Sequence, residues 1–274
     1  MRTSAKEPKI GEKIYHIGLA PGEIPGYVLL PGDPGRVDIV LKYVENGEII
    51  NFKREYKSGK GIYKGVEVGV LSTGIGGPST AIAVEELARI GAHTLIRIGT
   101  CGAIQEGIEI GDLVISSAAV RLEGTSKQYV ITEYPAAASY EVVLALITAA
   151  ESLGVRYHVG ITASTDSFYV GQQRPGYGGY LPSFAKNLID DLRMAKVMNF
   201  EMEAATLFTL SSIFGLRAGA VSLVLANRIT DEFELVPQDH LIKVGLEAIK
   251  ILKEMDKEKK GKYWVPKELL KTKK

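Results

Sequence analysis

Apolar residues recur along the chain in two alternating rhythms: short continuous runs suited to buried strands, and longer stretches with helical spacing. Tyr27–Leu30 is an apolar run that stops at Pro31-Gly32, which predicts a strand. Asp33-Pro34 then reads as an N-cap followed by proline in the first turn of a helix reaching about Tyr43. Strands are predicted over Ile49–Tyr56 and Gly61–Ser72, the second folded at Lys64-Gly65 ahead of the β-branched Val66–Val70 segment. Pro78–Ile90 spaces Ile82, Leu87 and Ile90 helically and closes at Gly91, a residue suited to ending a helix. Thr94–Ile98 predicts a short buried strand ending in Gly99, and Asp112–Val120 another. Helix over Tyr140–Ser152 and strand over Val155–Ala163 follow. Ser183–Met194 and Met202–Phe214 are predicted helical, Leu216–Leu225 a buried strand, and Pro237–Lys259 a long final helix.

This alternation predicts an α/β fold with a mixed sheet flanked by helices. No internal repeat or Pro/Gly/Ser-rich linker divides the chain, so residues 1–274 are read as a single domain. Residues 1–12 are expected to be a flexible N-terminus, and residues 260–274 a Lys-rich C-terminal arm.

Composition narrows the class of function. With 46% hydrophobic residues and one cysteine in 274, the chain is neither a disordered polymer nor a disulfide scaffold. Its longest apolar runs, such as Ala218 to Ala226, are about half of the roughly 20 residues a membrane span needs, so no membrane partner is expected. Met1 to Glu12 has no apolar leader segment, which makes a cytoplasmic location the expectation. A net charge of +1 offers no electrostatic basis for binding nucleic acid. That balance hides 11 Lys against 5 acidic residues in 243–274. Cys101 has no neighbouring histidine in sequence and is read as a structural thiol. His93, His158 and His240 lack metal-ligand spacing.

Glycine changes the picture most. Its 30 residues exceed the usual share of about 7% and cluster where strands are predicted to end. The three clusters are Pro31-Gly32-Asp33-Pro34-Gly35-Arg36, Thr73-Gly74-Ile75-Gly76-Gly77-Pro78-Ser79 and Arg97-Ile98-Gly99-Thr100-Cys101-Gly102. In α/β sheets ligands bind at the carboxyl ends of strands, and glycine lets backbone N–H groups approach an anion closely. Arg36, Arg97 and the Thr100 hydroxyl in these loops point to a small oxyanion, most simply phosphate. Neither a dinucleotide fingerprint nor a P-loop is present, so no organic nucleotide cofactor is expected.

Two further groupings carry chemistry. Asn199-Phe200-Glu201-Met202-Glu203 is predicted to open a helix, where residues two apart diverge by about 200°. Glu201 and Glu203 are therefore expected to perform separate tasks, one facing a ligand and the other bracing the structure. Phe168-Tyr169-Val170-Gly171-Gln172-Gln173-Arg174 sets an amide and a guanidinium beside aromatics, the groups that hydrogen-bond and stack a planar heterocycle.

With those residues in view, the chain resembles the nucleoside phosphorylase superfamily, and within it the uridine phosphorylases most closely. The resemblance runs in order through Tyr15-His16-Ile17-Gly18-Leu19, the Leu30–Val37 segment, Arg54-Glu55-Tyr56, Ser72–Thr80, Arg97–Gln105, Gly171-Gln172-Gln173-Arg174, Phe200–Thr206 and Asn227-Arg228. It implies a three-layer α/β/α sandwich, assembled as a hexamer of three dimers with sites shared between subunits. It implies phosphorolysis of uridine to uracil and ribose 1-phosphate, with inorganic phosphate as co-substrate. By the same resemblance Gly32, Arg36, Arg97 and Thr100 bind phosphate, and Arg54 and His16 reach in from a neighbouring subunit, His16 toward the ribose 5′-hydroxyl. Glu203 matches the acid that holds the ribose hydroxyls, and Met202 lies against the sugar. Gln172 and Arg174 read the uracil edge, with Phe168 against the ring and Arg228 supporting that end. Glu55, Ile75 and Ser79 match the ligands of a monovalent cation, K+, between dimer subunits.

Alternatives within the resemblance are a purine or broad-specificity phosphorylase and a nucleoside-binding protein without turnover. Purine enzymes of the hexameric type carry an aspartate where Asn227-Arg228 stands, although Asp231 lies a few residues on. The Gly-rich Pro175–Tyr180 stretch departs from the pattern and reads as a candidate lid over the base-reading pair.

Overall fold

The computed structural model describes residues 4–266. Within the predicted N-terminal arm, Lys9–Ile10 (β1) pairs antiparallel with Lys13–Ile14 (β2). Residues 1–3 of that arm and 267–274 of the predicted C-terminal arm lie outside the described residues. The remaining elements are Tyr27–Leu30 (β3), Pro34–Leu41 (α1), Glu45–Lys53 (β4), Tyr56–Tyr63 (β5), Val66–Leu71 (β6), Gly77–Arg89 (α2), Thr94–Ala103 (β7) and Leu113–Arg121 (β8). Then follow Ala136–Ala137 (β9), Tyr140–Ser152 (α3), Tyr157–Ser164 (β10), Leu188–Met194 (α4), Val197–Glu201 (β11), Ala204–Ile213 (α5), Arg217–Asn227 (β12), Glu232–Phe233 (β13) and Asp239–Glu258 (α6).

Strands β3 to β13 form one mixed sheet. At its centre β3, β6, β7 and β12 run parallel, β7 between β3 and β12. At its far end β7 also pairs antiparallel with β11, and β12 pairs with β8, so the sheet curls back on itself through β12, β8, β10 and β11. Alternation along the strands divides the core. Leu29, Ile96 and Ile98 pack with α1, α3 and α6, whereas Val28, Leu30 and Leu95 pack with α2 and α5. Helices therefore cover both faces, and the three-layer α/β/α order implied by the resemblance is the one observed.

Three differences from the sequence reading bear on the site. Ile49–Tyr56 is not one strand: Arg54 takes a left-handed φ of 55° and turns β4 into β5. The β7 strand does not stop at Gly99 but runs on to Ala103, because Gly99, Thr100, Cys101 and Gly102 all pair with β12. Asn199–Glu201 closes strand β11, and helix α5 starts only at Ala204.

The C-terminal segment is tied to the sheet by charge. Arg217 on β12 donates to both carboxylate oxygens of Asp256 on α6 at 2.7 Å and to Glu141 on α3 at 3.0 Å, while Tyr27 donates to Asp256. Part of the predicted arm joins this cluster: the Trp264 N–H donates to Glu141 at 3.1 Å, and its ring packs on the α3–α6 core. Burial works to raise the Asp256 carboxyl, but the Arg217 and Tyr27 hydrogen bonds outweigh it and hold Asp256 at about 2 against an ordinary 3.8. A carboxylate so depressed stabilises the fold above its unfolded pKa and loses that contribution as pH falls through the folded value. Asp256→Asn is therefore expected to lower the thermal midpoint at neutral pH and to flatten its decline between about pH 4 and pH 2, followed by circular dichroism melts.

Candidate functional site

A cavity of about 700 Å³ opens at the carboxyl ends of the parallel strands, where ligands collect in sheets of this type. The strand ends build its floor. Gly32 follows β3, Gly74 and Ile75 follow β6, Arg97, Thr100 and Gly102 lie on β7, and Leu225 and Ala226 end β12. Helix α1, capped by Asp33 accepting from the Gly35 N–H at 2.8 Å, brings Arg36 to the same wall.

Arg97 is the centre of this floor. It is 5% exposed, and its Nε donates to Glu201 Oε2 at 3.0 Å while Nη2 pairs with Glu203. The predicted divergence of the two glutamates is thus overturned: one ends a strand, the other stands at the N-cap of α5, and both carboxylates converge on one guanidinium. Glu201 also accepts from Ser164 Oγ and from the N–H groups of Glu203 and Ala204, at 2.9 Å for each amide, which makes it the structural brace. Glu203 accepts from the Gly76 N–H at 2.6 Å and lines the cavity. Burial raises its carboxyl above the usual carboxylate range, and the Glu201 charge adds to this against the pull of Arg97.

Arg97 Nη1 has no hydrogen-bond partner although it is buried, and it lies 3.8 Å from where a Cβ on Gly32 would stand. A buried donor left open costs about 1–3 kcal/mol, so this nitrogen is set for an acceptor entering the cavity beside Gly32. Arg36 reaches the same region with its Nε on Gln238 Oε1 at 2.5 Å and Nη1 on the Ile98 carbonyl at 3.2 Å. Burial, and then the nearby Arg97 charge, pulls Arg36 down to about 10. Two buried cations held together in this way favour an anion between them. Thr100 adds a hydroxyl to the lining.

The far wall is polar and aromatic. Gln172 is buried, its Nε2 donating to Thr165 Oγ1 at 3.1 Å and its Oε1 accepting from Arg174 Nη1 at 2.6 Å. The Arg174 guanidinium stacks 4.0 Å from the Phe168 ring centre, and burial lowers it to about 10. Arg228 is not part of the lining. Its Nη1 donates to the Gln172 carbonyl at 2.8 Å and so supports the Gln172 segment. Met202 and Phe233 complete the mouth. The Pro175–Tyr180 stretch lies outside the lining and is closed by the Gly176 N–H donating to the Tyr180 carbonyl at 2.8 Å. Burial pushes the Cys101 thiol up, away from the thiolate a nucleophile needs.

Two of the predicted site residues stand away from their own cavity. His16 Nδ1 lies 2.6 Å from Glu86, whose carboxylate also accepts the His16 and Ile17 N–H groups. Arg54 is exposed at the β4–β5 turn with its guanidinium 5.9 Å from the Tyr15 ring centre. The cation candidates do gather: Ser79 Oγ donates to the Ile75 carbonyl at 3.1 Å, and the Glu55 side chain and Ser79 flank Gly74. Sequence reading missed Ser164, Thr165, Glu86, Phe233 and Gln238. Ser164, Glu86 and Gln238 act across long chain separations, and none of the five has a local motif to mark it.

Fold and cavity together define an α/β protein whose pocket holds buried cations together with groups able to stack and hydrogen-bond a ring. The chain matches the Phosphorylase superfamily over residues 27–255, and it belongs to that superfamily. A Thermococcus kodakarensis protein named uridine phosphorylase is 63% identical over 267 residues, 96% of each chain. A Haemophilus influenzae uridine phosphorylase is 44% identical over 233 residues, covering 84% of this chain and 91% of that protein. A Halorubrum lacusprofundi guanosine phosphorylase is 41% identical over 214 residues, covering 78% of this chain and 83% of that protein.

The packing of Arg97 yields a direct test. A Cβ on Gly99 would stand 2.8 Å from Arg97 Nη2 and 2.9 Å from Cζ, so even alanine must displace the guanidinium. Gly99→Ala is expected to lower turnover by about 100-fold, the scale of a 1 Å misplacement of a catalytic group, in steady-state assays of folded protein.

Proposed function

We propose that this protein is a uridine phosphorylase acting in nucleoside salvage. The observation that carries the reading is the open, buried Arg97 Nη1 beside Gly32, at one end of a cavity whose other end is Gln172 and Arg174. The uridine phosphorylase names of the most similar relatives support the same substrate.

In this reading the Gly32 N–H, Arg36, Arg97 and Thr100 hold phosphate beneath the sugar. Arg97 and Glu203 fix phosphate and ribose relative to one another, since the two side chains are paired. Cleavage of the N-glycosidic bond builds positive charge on the anomeric carbon, which the phosphate dianion stabilises and then attacks. The bonding electrons leave with uracil as its anion, a C–O bond to phosphate forms with inversion, and the uracil anion takes up a proton on release. Arg174 and Gln172 stabilise the departing anion, a permanent cation beside an amide that donates and accepts. Met202 lies against the ribose, Phe168 against the ring, and Arg228 keeps the base-reading loop in place.

Arg54 and His16 serve a neighbouring copy's cavity in this reading, which accounts for their distance from their own. The assembly is proposed as a homohexamer, a trimer of dimers, located in the cytoplasm. Glu55, the Ile75 carbonyl and Ser79 supply oxygen donors around Gly74, and a second copy would double them into a shell suited to K+.

A purine reading is favoured only by the guanosine phosphorylase relative. Against it, both ends of the Asn227 amide are engaged: Nδ2 donates to the Ile108 carbonyl at 2.9 Å, and Oδ1 accepts from the Ile229 N–H at 2.8 Å. Asp231 is exposed and outside the cavity lining. The test is to follow base absorbance with uridine or inosine, each with and without phosphate. Phosphate-dependent turnover of uridine, with inosine slower by at least about 100-fold, is expected, a floor below the roughly 10⁴-fold that a site's unpaired polar groups can impose on a wrong ligand. Preference for inosine would establish the purine reading. Equal rates with and without phosphate would make the enzyme a hydrolase, and no turnover would leave a binding protein.

A further inference from the structure

The phosphate end of the cavity contains two arginines that are held very differently. Arg97 is flanked by the carboxylates of Glu201 and Glu203, so most of its charge is matched within the protein. Arg36, equally buried, is held by two neutral acceptors: the Gln238 side-chain oxygen at its Nε and the Ile98 carbonyl at its Nη1. The acid whose charge acts on it, Asp33, is exposed, and its carboxylate accepts the Gly35 N–H that caps α1.

Gln238 is 202 residues from Arg36 in the chain and stands at the N-cap of α6, yet its side chain makes no capping hydrogen bond there. It is thus free of local duty. Through it, the start of the last helix grips an arginine on the first.

We propose that Gln238 is a positioning residue for phosphate, fixing the Arg36 guanidinium through a neutral acceptor so that its orientation is set while its full charge is left for the anion. The inference rests on the phosphorylase reading of the cavity. A glutamate at the same place would hold Arg36 as well or better, but would match its charge and compete with phosphate. Alanine would leave the charge unmatched and the guanidinium free to turn. The amide alone satisfies both requirements. Burial, with the Arg97 charge, already draws Arg36 down to about 10, and the opposing charge of exposed Asp33 does not offset this.

The experiment measures KM for phosphate and for uridine in wild type, Gln238→Ala, Gln238→Glu and Arg36→Ala, with thermal midpoints alongside. Because the Gln238 side chain caps nothing, its variants are expected to fold, with Gln238→Ala melting somewhat below wild type because the buried Arg36 Nε is left open. Gln238→Ala should raise KM for phosphate by about tenfold, the scale of one hydrogen bond to a charged group, with a much smaller change for uridine. Gln238→Glu should raise it at least as far although the hydrogen bond is kept. A role limited to starting α6 would instead shift both KM values together, which would overturn the proposal. An unchanged phosphate KM in Gln238→Ala, with Arg36→Ala impaired, would overturn this inference alone. Wild-type phosphate affinity in Gln238→Glu would refute the need for a neutral acceptor. An unimpaired Arg36→Ala would remove the phosphate reading and the inference with it.

Discussion

The structure depends on one buried cation. Arg97 sits in the middle of the sheet, on a strand paired on both sides, and a guanidinium in such a place is costly unless its hydrogen bonds are met by fixed partners. Burial works to lower Arg97, yet Glu203 and Glu201 together outweigh it, so the side chain is held charged. Those two carboxylates come from the end of β11 and the start of α5, and Glu203 extends the link to the first turn of α2 through Gly76. A charge cluster of three residues therefore positions two helices and two strands. It is completed everywhere except at Nη1, which is the face turned to ligand.

That single open position organises the chemistry. On one side lie Gly32 and Arg36, which extend the positive floor. On the other lies Glu203, already paired with Arg97, so that in the proposed reading the oxyanion and the sugar-binding acid share one anchor. The wall proposed to read the base follows the same economy, with Gln172 clamped between Thr165 and Arg174 and its backbone held by Arg228. Residues bound on every side but one are preorganised, which is how an enzyme stabilises developing charge without rearrangement.

Much of this was legible in the chain itself. The strand and helix rhythm revealed a mixed sheet flanked by helices, and the glycine-rich segments pointed to Arg36, Arg97 and Thr100, which the structure gathers in one cavity. What escaped was the geometry between distant residues. Gly99 reads as a loop glycine, but it belongs to β7 and is small because the Arg97 guanidinium lies over it. Glu201 and Glu203 diverge on a helix, but β11 runs to Glu201 and the chain bends over Met202 and Glu203 before α5, which brings both carboxylates to the same guanidinium. Gln238 and Thr165 carry no signal at all, since an amide or a hydroxyl in a polar segment is distinguished only by what folds against it. The hairpin turn at Arg54 was hidden because a left-handed arginine leaves no Gly or Asn to announce it.

The central claim is that the open face of Arg97 is built for phosphate. A crystal structure of the protein grown with phosphate tests it most directly. The account predicts the anion within hydrogen-bond distance of Arg97 Nη1, the Gly32 N–H and the Arg36 guanidinium, with the Arg97 pairs to Glu201 and Glu203 retained. Phosphate bound elsewhere, with Arg97 Nη1 satisfied by a protein group or by a water that the anion does not displace, would contradict it.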